Sequence, residues 1–182
     1  LKLTAYSKGG HASTPPKETA LTILSKAVLR LNKTQTFKMK LTSSVKVLFD
    51  TLAPHSKSFI IKMIFANLWI FNPIVKLIAR LSGGELLSMF KTTQAFTTSE
   101  ASDAINVLPT FASIGINYRL RPGESSSTVI KKVKKVIKNK DIDVEAIKVS
   151  EATSTSIIDE AFGIVRQAIK KTWPEVIVTP YL

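Results

Sequence analysis

The order of hydrophobic periods along the chain predicts an α+β fold. It is a ferredoxin-like βαββαβ sandwich: a four-stranded antiparallel sheet, two helices on one face and a helical insertion. Three observations carry this expectation. The apolar period changes between two and about 3.6 in the order strand, helix, strand, strand, helix, strand. Turn-forming residues punctuate the changes, at Lys8-Gly9-Gly10 and at Arg121-Pro122-Gly123-Glu124. A chain of 182 residues with 45% hydrophobic and 21% charged side chains has the composition of an ordinary packed core.

Leu1, Leu3 and Ala5 alternate with Lys2, Thr4 and Tyr6, a half-buried strand that runs into the glycine loop. From Pro15 to about Leu31 the apolar positions Ala20, Leu21, Leu24, Ala27, Val28 and Leu31 recur at helical spacing, with Thr14 as N-cap and Pro15 as the first helical residue. Phe37, Met39 and Leu41 alternate with lysines and predict a short strand. A Thr-rich strand is expected over 91–99 and a stronger one over 111–120, with Ala112, Ile114, Ile116, Tyr118 and Leu120 on the core face. Ser113, Gly115, Asn117 and Arg119 then share the opposite face. Val129, Ile130, Val133, Val136 and Ile137 mark a second helix, and a strand follows at about 142–149. A third helix is expected to carry Ile158, Ala161, Phe162, Val165, Ile169 and Trp173, with Val176-Ile177-Val178 starting a further strand.

Residues 59–81 are apolar nearly all the way round, yet Lys62, Asn67, Asn72, Pro73 and Lys76 interrupt them. A lysine at the centre of a membrane span costs roughly 2.5–3.5 kcal/mol, so no span is expected. One or two short helices broken near Asn72-Pro73 are expected instead, packed on the sheet or offering an apolar surface to a partner or substrate, with Gly83-Gly84 releasing the chain.

Lys and Arg number 26 against 13 acids, a net charge of +13. Part of that excess is the run Lys131, Lys132, Lys134, Lys135 and Lys138, spaced as the solvated face of a helix. The absence of cysteine excludes disulfides, thiolate catalysis and Cys-ligated zinc, and leaves the compartment open between a slightly favoured cytoplasm and an extracytoplasmic site. The chain opens directly on a strand and stops within another, so it reads as a piece of something longer.

The stretch Lys8 to Pro16 presents one of only two histidines, His11, in a loop shaped by two glycines and two prolines. His55 sits in a connector between Pro54 and Ser56, and Glu100 and Asp103 read as solvated carboxylates. Two histidines without HExxH-like spacing predict no metal site in this chain. His11, Asn106 and Arg119 remain: a polar, cationic set suited to carboxylates and oxyanions, lacking a nucleophile and a general base.

Four motifs occur in the order and spacing of one family. They are Gly9-Gly10-His11-Ala12-Ser13-Thr14-Pro15-Pro16, Phe65-Ala66-Asn67-Leu68-Trp69-Ile70-Phe71, Asn106-Val107-Leu108-Pro109 and Asn117-Tyr118-Arg119-Leu120-Arg121-Pro122-Gly123. The chain resembles the lid, or dimerisation, domain of the zinc exopeptidases and deacylases that include aminoacylase, acetylornithine deacetylase and carboxypeptidase S. It is most similar to the carboxypeptidase S and N-acyl-amino-acid hydrolase branch. The resemblance implies a lid domain over residues 1–150 with a helical insertion at about 50–90, and a return segment, 151–182, leading into a catalytic domain outside this sequence. Two zinc ions are expected in that catalytic domain and none here.

On this resemblance, His11 matches a lid histidine that reaches the partner subunit's active site and donates a hydrogen bond to the tetrahedral oxyanion. Asn106 and Arg119 match residues that contact the substrate, a guanidinium fork being well shaped for a terminal carboxylate. Ala12 stands where Ser is more usual, and Lys91 where the close branch tends to have Arg, so neither is given a role. The implied partners are a second copy of the chain, its own catalytic domain, and a peptide or N-acyl amino acid; neither nucleic acid nor a membrane span is expected. The competing reading is a basic βαββαβ nucleic-acid module, against which Tyr118 falls on the core face rather than on an exposed stacking platform.

Overall fold

Leu3 and Ala5 point inward from β1 (Lys2–Tyr6) and are fully buried, and the sheet forms around them. In the computed structural model, which describes residues 1–152 and 160–181, β1 lies between β5 (Phe111–Arg119) and β6 (Ile142–Glu145), antiparallel to both. The outer partner of β5 is β3 (Thr93–Glu100), so the strand order is β3-β5-β1-β6. This is the βαββαβ sandwich the periodicity predicts. It belongs to a first compact unit made of Leu1–Lys38, Thr92–Leu120 and Glu124–Ala152.

Helices α1 (Ala20–Lys33) and α6 (Ser126–Ile137) pack together over one face of this sheet, where their stripes Leu24, Ala27, Leu31 and Val129, Val133, Ile137 meet Leu3, Ala5, Ala112 and Ile116. Arg30 of α1 donates through Nη1 to the carbonyl of Ile137 at 2.7 Å, satisfying an orphan acceptor at the end of α6. Tyr118 lies on this covered face, edge-on to Phe37 at 5.7 Å and hydrogen-bonded to Gln94 Oε1 at 2.7 Å, where it cannot stack a base. Lysines 131, 134, 135 and 138 are solvated as expected. Lys132 departs from that reading: it pairs with Glu124 and sits 5.2 Å from the Phe37 ring centroid.

Several expectations need correction. The first helix starts five residues later than Pro15: Thr19 caps it, its hydroxyl accepting from Thr22 N–H while the Thr22 hydroxyl accepts from Thr19 N–H. Pro16 disfavours helical geometry at Pro15, so the capping box sets the start instead. Residues 37–41 form no strand; Phe37 is a plug in the first core and Met39 and Leu41 pack in the second. On β5 the polar face is only partly open, because Ser113 and Gly115 are buried. The β-bulge at Thr97 brings Thr98 over Gly115, where a Cβ would stand 2.2 Å from Thr98 Oγ1. The last strand of the sheet ends at Glu145, four residues short of the expected end.

The second unit holds Met39–Lys91 and Arg121–Gly123 with the described residues from 160 onward. Its helices are α2 (Ser43–Leu52), continued by a 3₁₀ turn Ala53–His55, then α3 (Phe59–Ala66), α4 (Leu68–Ser82), α5 (Gly84–Phe90) and α7 (Glu160–Thr172). Val45, Leu48, Phe49, Leu68, Val75, Ala79, Met89 and Phe90 form its core. The helix break falls at Asn67, with a bend of 112°, while Pro73 is accommodated inside α4. Gly83 and Gly84, both at positive φ, start α5 rather than a loop. Val176-Ile177-Val178 forms no strand, and Ile158 lies outside the described residues.

Burial pushes the Tyr118 phenol well above its usual value of 10.0. Below that pH both folded and unfolded chains keep the proton; above it the unfolded chain releases it first, so stability falls as pH rises toward the folded value. Tyr118→Phe is expected to lose about 1 kcal/mol at pH 8 with the Gln94 hydrogen bond, and to lack this part of the alkaline decline. Urea unfolding of both proteins between pH 8 and about 11 checks it, because the lysines titrate equally in the two.

Candidate functional site

A two-stranded ribbon beside the main sheet presents the glycine-loop histidine. After β1 the chain is tied back to the segment entering β5: Ser7 N–H donates to Thr110 O at 2.8 Å and Ser7 Oγ to Pro109 O at 2.9 Å. Gly9, at φ +67°, then passes so close that a Cβ there would lie 2.8 Å from Thr110 Cγ2 and 3.1 Å from Leu108 O. Only glycine fits both the left-handed backbone and the approach. This leads into β2 (Gly10–His11), which pairs antiparallel with β4 (Val107–Leu108), Gly10 opposite Leu108 and His11 opposite Val107.

The ribbon brings two of the three sequence-predicted residues together. Ala12 N–H donates to the Asn106 carbonyl at 3.0 Å, so Asn106 stands one step beyond the Val107 that faces His11. Both residues are exposed. Asn106 follows a turn in which Ala104 N–H donates to Ser102 Oγ and Val107 N–H to Ala104 O. Ser13 N–H donates to His11 Nδ1 at 3.2 Å, with the Ser13 hydroxyl 2.8 Å from the same nitrogen. A backbone N–H can only donate, so Nδ1 must carry its lone pair. In the neutral imidazole the proton therefore resides on Nε2, where it is a hydrogen-bond donor.

Arg119 is not part of this cluster. It is exposed at the far end of β5, opposite Thr93, whereas the ribbon adjoins the end where Tyr6 pairs with Phe111. Eight residue steps along the strand separate Phe111 from Arg119, roughly 27 Å. The three residues therefore divide into a His11–Asn106 pair and a distant guanidinium. Of the other polar candidates, Glu100 lies 3.7 Å from Lys2 Nζ and is exposed, Asp103 is exposed, and His55 sits exposed in the 3₁₀ turn of the second unit.

Two features of the site went unread in the sequence. Ser13 orients the imidazole, and its signal is the His-x-Ser spacing, which lets a backbone N–H two residues on reach Nδ1. Ile105 is fully exposed and Val107 half-exposed on either side of Asn106, so the polar pair lies among apolar side chains that solvent alone covers. Among the described residues no three His, Cys, Asp or Glu side chains converge on a point that would hold a metal ion.

A family model described as the peptidase dimerisation domain (M20) matches residues 1–145. The chain is 31% identical over 183 residues to a probable carboxypeptidase S-like protein of Dictyostelium discoideum, covering 99% of this chain and 34% of the relative. It is 33% identical over 184 residues to the mouse N-fatty-acyl-amino acid synthase/hydrolase PM20D1, covering 99% of this chain and 36% of that protein. The chain thus spans about a third of the length of these curated relatives. Among solved structures, the fold is similar to an M20 family metallo-carboxypeptidase of Sulfolobus solfataricus (TM-score 0.60, 15% identity, 98% of this chain and 50% of that one). It is also similar to human carnosine dipeptidase 1 (TM-score 0.54, 11% identity, 98% and 42%).

The Ser13 contacts make the imidazole tautomer a direct test of the site. Long-range proton–nitrogen NMR spectra, recorded at alkaline pH where imidazole is neutral, are expected to show His11 with its proton on Nε2. A predominantly Nδ1-protonated ring would contradict this geometry.

Proposed function

Because this chain belongs to the M20 peptidase dimerisation-domain family, we propose that it is the dimerisation and substrate-capping part of a dizinc exopeptidase or deacylase that cleaves a peptide or N-acyl amide bond beside a free carboxylate. The observation that carries the proposal is the β2–β4 ribbon, which holds an exposed imidazole, its Nδ1 occupied as an acceptor by Ser13, next to Asn106. Such a donor suits the charge that develops on a carbonyl oxygen when an amide is attacked. On this reading the metal chemistry is that of a catalytic domain outside this sequence, where two bound zinc ions would polarise the amide carbonyl and activate the attacking water. The domain bounds follow: residues 1–150 as the lid with the insertion at about 50–90, and 151–182 as the return toward the catalytic domain.

In this mechanism the chain's own residues bind, orient and stabilise. His11 donates from Nε2 to the oxyanion, and Asn106 supplies an amide from the same ribbon. Arg119 holds the terminal carboxylate through its guanidinium fork. The separation of roughly 27 Å along β5 prevents one protomer from applying His11 and Arg119 to the same small substrate. A symmetric pair resolves this: one protomer contributes His11 and Asn106, and its partner contributes Arg119. Ile105 and Val107 on the ribbon then exclude water from the capped amide, which strengthens each hydrogen bond to the developing charge.

In the hydrolase that contains this chain, His11→Ala is expected to lower kcat by about 10²–10³-fold with a smaller change in KM. Mixing that variant with one lacking a catalytic-domain metal ligand is expected to restore about a quarter of wild-type activity, since half of the randomly paired dimers would carry one complete site. No recovery on mixing would exclude contribution across subunits, and unchanged kcat in the His11 variant would leave the domain with dimerisation alone.

A further inference from the structure

The second unit carries an apolar surface that the proposed chemistry does not use. Helix α4 has two opposite apolar faces. Leu68, Val75 and Ala79 turn into the core, while Ile70, Ile74, Leu77, Ile78 and Leu81 recur at helical spacing on the outside, each between 45% and 78% exposed. Phe59, the first residue of α3, and Trp69, just past the bend in α4, are 78% and 80% exposed. Exposed stripes of this extent mark a surface meant to be covered.

The charges around the stripe say what covers it. Neither α3 nor α4 contains an acidic residue, and between them they carry Lys62, Lys76 and Arg80. At 100° per residue, Trp69, Lys76 and Arg80 fall on one flank of the outer stripe. A groove of about 520 Å³ beside Trp69 is lined by Lys46 and Lys62, with Asp50 also on its wall. Two copies meeting through this stripe would find no acid on either helix to pair these cations. An apolar stripe bordered by tryptophan and cations instead matches a bilayer interface: the stripe enters the acyl boundary, the indole sits at headgroup level and the cations meet lipid phosphates.

Geometry sets the depth. Helix α4, at 15 residues, is about 22 Å long, shorter than the roughly 30 Å hydrocarbon core. No single described helix is long and apolar enough to cross a membrane, and the 112° bend prevents α3 and α4 from forming one straight span. We propose that the α3–α4 insert docks on the surface of an anionic lipid bilayer, with Ile70, Ile74, Leu77, Ile78 and Leu81 inserted and Lys62, Lys76 and Arg80 at the headgroups. This is independent of the amide chemistry above, because it uses none of the ribbon residues.

The test is co-sedimentation of the 182-residue chain with vesicles of phosphatidylcholine alone and of phosphatidylcholine with about a third phosphatidylserine. Binding to the anionic vesicles is expected to be at least tenfold tighter and to weaken as salt is raised to about 0.5 M. Ile74→Glu with Leu77→Glu is expected to abolish binding, and Lys76→Gln with Arg80→Gln to reduce it about tenfold. Circular dichroism melts check that both variants fold. In a Trp173→Phe background, Trp69 emission is expected to shift to the blue on adding anionic vesicles. Binding to neither vesicle, equal binding to both, or binding unchanged by the glutamates would overturn the proposal. So would a dimer in sedimentation velocity that the glutamates dissociate, since that would make a second copy the occupant.

Discussion

The pairing of β1 with β5 is the constraint on which the candidate site depends. Five consecutive residue pairs, from Lys2 with Gly115 to Tyr6 with Phe111, fix these central strands in register. A slip of one residue would turn Leu3 and Ala5 out of the core, so burial holds the register firmly. The site is built by extending that register past the end of the sheet. Ser7 bonds Thr110 and Pro109, Gly9 slides against Leu108 and Thr110, and the ribbon closes with His11 opposite Val107. The imidazole therefore inherits its place from the core, although it is itself exposed.

The elements of the sheet and its two covering helices were readable because each buries one face, and burial of one face imposes a period. Leu24, Ala27 and Leu31 on α1, and Val129, Val133 and Ile137 on α6, are buried where the stripe places them. Thr14-Pro15 and Thr19-x-x-Thr22 are both helix-start signals, and the helix takes the second because only it is free of a following proline's restriction. The bulge at Thr97 leaves no mark in a run of threonines and serines. Val176-Ile177-Val178 has strand propensity, but propensity without a partner strand makes no ladder.

The insert shows the opposite limit. Helix α4 is apolar on two faces, so periodicity cannot separate the side that meets the core from the side that does not. Pro73 reads as the break, yet the bend falls at Asn67, whose backbone leaves helical geometry while its side-chain amide donates to Met63 O. Helices α2 and α5, of ten and seven residues, offer too few repeats to establish a period, and the glycine pair at the start of α5 has the look of an ending. At the site, residue types identified His11, Asn106 and Arg119 as candidates. A strand over 111–120 already puts Arg119 at its far end; the pairing of Gly10–His11 with Val107–Leu108 that sets His11 beside Asn106 leaves no trace, since two residues a side carry no period.

That distribution constrains the proposed chemistry more tightly than the residue types do. His11 and Asn106 share a ribbon at one end of β5 and Arg119 stands at the other, so the nine-residue length of a central strand lies between them. A small substrate that needs both an oxyanion donor and a carboxylate clamp must meet them from two protomers. Dimerisation and substrate capping then become one property of the proposed lid. On the proposed reading, the register that buries Leu3 against the helices is also what would require a neighbouring protomer to complete each active site.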